Sequence, residues 1–212
     1  MESNQYIIMK QLLIILDNGH GVNTKGKRSP DSRLMEWKWA RDFVERLNSR
    51  LKSEGFSTYI LVPEDSDVSL SNRVLRANTV YKNFKRISSD WEILLISVHV
   101  NAAKEPGWSK ASGLTTWVSE NASKKSRLIA SLIQTLAKQD GLTGDRWIPS
   151  DNYFKSNFYI CKNTSCPAVL VENMFMTNKT DVDFLLSDEG QEKLVELYSD
   201  ALKSYFIYIQ SN

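Results

Sequence analysis

The chain contains two histidines, His20 and His99, and each follows an apolar run. Leu12-Leu13-Ile14-Ile15-Leu16 breaks into Asp17-Asn18-Gly19-His20-Gly21, and Ile93-Leu94-Leu95-Ile96-Ser97-Val98 runs into His99-Val100-Asn101. Each reads as a buried strand ending in a loop. In open α/β sheets, chemistry collects outside the carboxyl ends of the strands. Two imidazoles carried to one such rim form a metal-site arrangement. Glu36, sixteen residues after His20 at the start of a helical pattern, supplies a carboxylate. Catalytic zinc typically takes three protein ligands, two histidines and a glutamate among the combinations, and keeps a fourth position for water. Two neutral imidazoles and one carboxylate leave such a site net positive, which acidifies the water and polarises a carbonyl. Glu172 ends the apolar run Ala168-Val169-Leu170-Val171 and reaches the same rim if that strand is parallel to the other two. A carboxylate beside the metal can act as general base and pass the proton to a leaving amine. Each residue also has a plainer reading: a hydrogen-bonded structural histidine, a glutamate serving the helix dipole, a carboxylate held by backbone amides. Only their combination points to metal.

The elements that must position these residues alternate along the chain. A helical pattern over 34–51 has apolar positions 40, 43, 44, 47 and 51 and stops at Gly55. Phe56–Val62 reads as a strand ended by Pro63, and Ser69 can cap a helix running through Val74 and Ala77 to about Phe84. After the His99 strand come a strand over Leu114–Val118 and an amphipathic helix over Ser123–Lys138. Gly141–Ser156 is a long polar loop with Trp147, Tyr153 and Phe154, rings that either line a groove or cap the core. Phe158–Cys161 and Ala168–Val171 read as strands, and helices near Asp181–Leu186 and Glu189–Tyr208 close the chain. This order predicts an α/β fold: a single three-layer domain with a mostly parallel or mixed sheet of about six strands and helices on both faces. Residues 1–212 form one catalytic domain on this reading, with 1–10 as an N-terminal extension.

Composition narrows the class. With 212 residues, 42% hydrophobic and 25% charged, the chain suits one domain with a sizeable core. A net charge of +2 is too mild to argue for nucleic acid. No stretch approaches the ~20 apolar residues needed to cross a bilayer, so no membrane insertion is expected, and the N-terminus does not read as a secretory signal. Cys161 and Cys166 read as reduced thiols or a disulfide; their spacing is a poor zinc motif.

Taken in order, these motifs resemble the zinc-dependent N-acetylmuramoyl-L-alanine amidases of the amidase-3 type. That family reads Asp-Pro-Gly-His-Gly after a strand, a glutamate, Ser-x-His-x-Asn, and Glu-x-Gly-Phe-x-x-Asn. The matching stretches are Asp17–Gly21, Glu36, Ser97-Val98-His99-Val100-Asn101 and Glu172-Asn173-Met174-Phe175-Met176-Thr177-Asn178. Arg73, Asn78 and Gly113 also fall in the family's order, and the resemblance spans about 12–208. It implies one Zn²⁺ held by His20, Glu36 and His99, with Glu172 as catalytic base. The reaction implied is hydrolysis of the amide between the lactyl group of N-acetylmuramic acid and L-alanine in peptidoglycan. Asn101, Asn178 and Arg73 are implied as supporting or substrate-side residues.

Asn18 replaces the family's proline, Val22 a common second glycine, and Asn173 with Met174 the small turn after the glutamate. No long helical insertion lies between Glu36 and His99, so the site is expected to be open. The lack of an export signal and of a wall-binding module resembles a phage lysin catalytic domain, which acts at the cell wall with help from a pore-forming partner. A bacterial remodelling enzyme fits equally, and a monomer is the expected state. Two rival readings are a zinc carboxypeptidase acting on peptides and an inactive wall-binding module. The first usually draws two ligands from one His-x-x-Glu segment, absent around His20, and the second has no need of Glu172.

Overall fold

A computed structural model describes residues 10–104, 106–144 and 146–211. Among the described residues six strands form one mixed sheet: β1 (Gln11–Asn18), β2 (Ser57–Ile60), β3 (Trp91–Asn101), β4 (Thr115–Val118), β5 (Phe154–Lys155) and β6 (Ala168–Phe175). Their order is β2-β1-β3-β6-β4-β5. β2, β1, β3 and β6 are mutually parallel, so their carboxyl ends share one rim. β4 runs antiparallel to β6 and brings its own start, Thr115, beside Glu172.

Strand alternation divides the core. Leu12, Ile14 and Leu16 of β1, with Leu94, Ile96 and Val98 of β3, face a layer of four helices. These are α1 (Glu36–Ser53), α3 (Lys124–Gln139), α5 (Lys179–Leu186) and α6 (Asp188–Ser211). Leu13, Ile15, Ile93, Leu95 and Leu170 face the thinner layer of α2 (Leu70–Ile87) and α4 (Tyr159–Asn163). A central parallel strand is covered on both sides, which is why β1 and β3 carry unbroken apolar runs. The large layer is pinned by Trp39, whose ring stacks on Phe43 at 5.1 Å and whose Nε1 donates to the Leu185 carbonyl. Phe43 in turn meets the buried Tyr198 of α6 edge-on. Ser69 caps α2 as its position in the sequence predicts, accepting from the Asn72 amide.

The structure shows the predicted three-layer α/β fold with two local corrections. Phe158–Cys161 is not a strand: Tyr159–Asn163 forms the short helix α4, and the edge strand is Phe154–Lys155, inside the expected loop. A four-residue apolar run has no period of its own; here Ile160 and Cys161 plug the thin layer as a helical turn. Glu172 does not end its strand either, because β6 continues to Phe175. The extension's residues 1–9 lie outside the described residues, while Lys10 is tied through its backbone to Gln210 of α6. No helix among the described residues is long and apolar enough to cross a membrane.

Candidate metal centre

The rim of β1 and β3 is built to bring two imidazoles together. After β1 the chain turns through Gly19, whose amide donates to the Val98 carbonyl, and His20 takes a left-handed φ of 59°. That conformation costs an L-residue energy and persists only where the surroundings hold it. Here two guanidinium groups do so: Arg41 and Arg73 each donate to the His20 carbonyl. A side chain at Gly19 would sit 2.5 Å from Cε1 of His99, so only glycine lets the second ring approach. The His20 and His99 rings meet edge-on with centroids 5.1 Å apart.

Glu36 opens α1, and its side chain is buried beneath the two rings. Oε1 accepts from the Val100 amide at 3.0 Å and lies 3.0 Å from His99 Nδ1. Oε2 lies 3.3 Å from His20 Nε2, yet has no properly directed hydrogen-bond partner among the described residues. Burial opposes ionisation of this carboxyl, but its contacts with the two imidazoles outweigh burial and hold it far below the usual carboxylate range. Burial likewise pulls His99 down, and the nearby Glu36, with Glu172 and Asp17 behind it, outweighs that and raises it. One donor atom from each of His20, Glu36 and His99 falls within 4.8 Å of the others. Donors about 2.0–2.2 Å from a tetrahedral zinc stand roughly 3.4 Å apart. The two short contacts run to different oxygens of Glu36; with one donor per residue, all lie within 4.8 Å of one another, which, together with the orphaned Oε2, leaves room for such an ion.

Glu172 sits in register with His99 on one side and Thr115 on the other. Burial pushes its carboxyl up to about 7, with Lys27 and Arg146 among the cations that restrain the rise. Its Oε2 has no hydrogen-bond partner among the described residues. A cavity of about 390 Å³ holds His20, His99 and Glu172 and extends past Lys27 toward Leu70 and Tyr159.

The remaining predicted residues lie around this cluster. Arg73 is buried, and all five N–H groups are engaged, by the carbonyls of Val68, Asn18 and His20 and the carboxylates of Asp17 and Asp67. It holds the His20 loop rather than presenting a free donor to the cavity. Asn101 turns the chain after β3, accepting from the Ala102 amide. Asn178 caps α5, accepting from the amides of Thr180 and Asp181. Asn78 clamps the segment after α4 through the Asn163 carbonyl and the Ser165 amide. Cys161 and Cys166 are free and buried.

Three supporting residues escaped the sequence reading. Arg41 shares the His20 carbonyl with Arg73. Asn173 donates to the His99 carbonyl and accepts from the Tyr198 hydroxyl. Asp181 accepts from the amides of Phe175 and Gly113 and from the Ser112 hydroxyl, fixing the turn after β6. The signal for Asn173 was its place in the alternation Val169, Val171, Asn173, a polar group on an apolar face. Its two bonds, with Met174 at a φ of 62°, shape the segment where the family's small turn is replaced.

Residues 14–204 match the sequence model of a family described as N-acetylmuramoyl-L-alanine amidase. The chain is 29% identical over 194 residues to the uncharacterized protein YqiI of Bacillus subtilis, covering 91% of this chain and 84% of that one. It is 27% identical to the N-acetylmuramoyl-L-alanine amidase LytC of the same organism, and 26% identical to the probable cell wall amidase LytH of Staphylococcus aureus. Those matches cover 91% of this chain but only 35% of LytC and 58% of LytH. Among solved structures, an N-acetylmuramoyl-L-alanine amidase of Clostridium difficile superposes with a TM-score of 0.74 at 24% identity, covering 92% of this chain and 97% of that one. Ami1 of Mycobacterium smegmatis gives 0.77 at 16% identity, covering 94% and 99%. At these identities the two structures speak for the fold.

Proposed function

Because the chain belongs to the N-acetylmuramoyl-L-alanine amidase family, we propose that it hydrolyses the amide joining the lactyl group of N-acetylmuramic acid to L-alanine in peptidoglycan. On this reading His20, Glu36 and His99 hold one zinc ion and Glu172 is the general base. The observation that carries it is the cluster of three ligand-type side chains with an orphaned Glu36 oxygen, set in register beside a carboxylate raised to about 7. Zinc supplies a Lewis acid there, lowering the pKa of water and polarising the scissile carbonyl. Glu172 removes a proton from the attacking water and delivers it to the nitrogen of L-alanine as the C–N bond breaks. Burial raises this carboxyl in the metal-free protein and a bound cation would bring it back down, so Glu172 can be ionised to accept a proton and still return it. Glu36, kept ionised by the imidazoles, stays a ligand rather than competing as a base. Asn173 fixes the backbone of His99, and Arg41 and Arg73 fix that of His20, so the ligands are set in place before substrate arrives.

Digestion of purified cell walls tests the reading. The expected products are new amino termini of L-alanine with the glycan strands intact. Release of other amino groups points to the peptidase alternative, and a zinc-loaded protein that binds walls without releasing any amine refutes hydrolysis.

A further inference from the structure

Arg146 differs from the other partly buried arginines of this rim. Arg41, Arg73 and Arg76 have their guanidinium groups committed to carbonyls and carboxylates of the chain. Arg146 is held instead by two ring faces, its guanidinium carbon 5.2 Å from the Phe175 centroid and 5.8 Å from that of Phe154. Its Nε is shut off from solvent and has no hydrogen-bond partner among the described residues. Cation–π contacts of this kind fix the position of a guanidinium while leaving its in-plane donors free.

The place it occupies is next to the proposed base. Phe175 lies three residues beyond Glu172 on the same strand, and Phe154 pairs with Trp117 of β4, the strand whose Thr115 neighbours Glu172. Arg146 therefore stands on the flank of Glu172 turned toward β4 and β5, opposite His99. Its charge reaches Glu172 and helps restrain the rise of that carboxyl. The surroundings form a floor of rings: Trp117 stacks on Phe154 at 4.7 Å and meets Phe158 edge-on, and the exposed Trp147 stands against Phe154 at 6.4 Å.

The inference rests on the amide reading given above. In that substrate the lactyl carboxyl is consumed in the scissile bond, so the sugar beside the bond carries no charge. Carboxylates near the bond belong to the peptide. A fixed guanidinium whose terminal nitrogens make no hydrogen bond among the described residues suits a planar carboxylate, which these two nitrogens can bind through parallel hydrogen bonds. We propose that Arg146 binds a carboxylate of the residue that follows L-alanine. The stem peptide then lies over the Trp117–Phe154 floor, and the glycan runs the other way, along the cavity toward Leu70 and Tyr159.

The test uses two soluble N-acetylmuramoyl-L-alanyl substrates that differ only in the next residue, its carboxylates free in one and amidated in the other. The wild-type, zinc-loaded protein is expected to favour the free form by roughly ten- to hundredfold in kcat/KM, expressed mainly in KM. Arg146→Met brings the ratio close to one, and Arg146→Lys, which keeps the charge without the fork, restores part of it. A merely structural role for Arg146 lowers both substrates together and leaves the ratio unchanged, which overturns the proposal. Equal turnover of the two substrates by the wild type overturns it as well while the amidase reading stands. Failure of the zinc-loaded wild type to hydrolyse either one refutes the amidase reading itself, and this inference with it.

Discussion

Replacing Arg73 with methionine removes the member that joins the His20 loop to the body of the protein. The guanidinium is 3% exposed and its partner Asp17 2%, with Nη1 of Arg73 2.7 Å from Oδ1 of Asp17. Loss of the arginine strips hydrogen bonds from three carbonyls and leaves Asp17 buried with Ser97 as its one remaining side-chain donor among the described residues. Breaking a buried pair from one side costs about 3–5 kcal/mol, because the surviving charge is left without compensation. In a domain of this size 1 kcal/mol moves Tm by about 2–4 °C, so the variant should melt roughly 6–20 °C lower. Thermal and urea unfolding in the presence of a chelator would measure this without a contribution from bound metal. Adding Asp17→Asn to Arg73→Met removes the stranded charge, so the double variant should be more stable than the sum of the singles by about 0.5–3 kcal/mol. With one of two arginines gone from the His20 carbonyl, zinc affinity should also fall, by about ten- to hundredfold. A Tm change under about 2 °C, or strict additivity in the double variant, refutes the reasoning.

Gly19→Ala should weaken zinc binding at least tenfold, because the new methyl meets the His99 ring at 2.5–2.9 Å and the ring must move; calorimetric titration with unchanged affinity contradicts this. Burial pushes both Cys161 and Cys166 up to about 12, so the native protein should resist iodoacetamide at pH 8 and react only when unfolded, as mass spectrometry would read out. Glu172 predicts a pH signature in the metal-free protein. Its folded value of about 7 lies above its ordinary 4.5, so the native state holds the proton more tightly. The stability this contributes is complete below pH 4.5 and lost as pH rises to about 7. The Tm of wild type relative to Glu172→Gln should therefore decline across that window, and a constant difference contradicts the assignment.

The sequence exposes this site because its chemistry depends on scarce residue types. Two histidines, each closing an apolar run, leave few ways to arrange them once the strands are parallel and adjacent, and β1 and β3 are both. Glu36 was legible from order alone; that it tucks beneath both rings follows from the helix start being fixed by the Glu36 amide on the Lys27 carbonyl, a tertiary contact. The supporting residues are less legible for a different reason. Arg73, Asn78, Asn101 and Asn178 enter only through their place in the family's order and Arg41 and Asn173 not at all, because their partners lie in distant loops or in the backbone and spacing does not separate a clamp from a surface group. Arg146 sits in a stretch with no periodic pattern, and Asp181 reads only as the acidic start of a helix. Phe158–Cys161 was misread because four apolar residues suit a strand or a helical turn, and packing beneath the sheet decided between them.

Metal content and amide hydrolysis measured together on wild type, Glu36→Gln and Glu172→Gln test the central claim most directly. The wild type is expected to carry one zinc per chain and to release L-alanine amino termini from peptidoglycan. Glu36→Gln should lose both zinc and turnover, whereas Glu172→Gln should keep its zinc and lose turnover by about 10²–10⁴-fold. A wild type without zinc, a Glu36→Gln protein that keeps it, or an active Glu172→Gln protein contradicts the assignment of ligands and base.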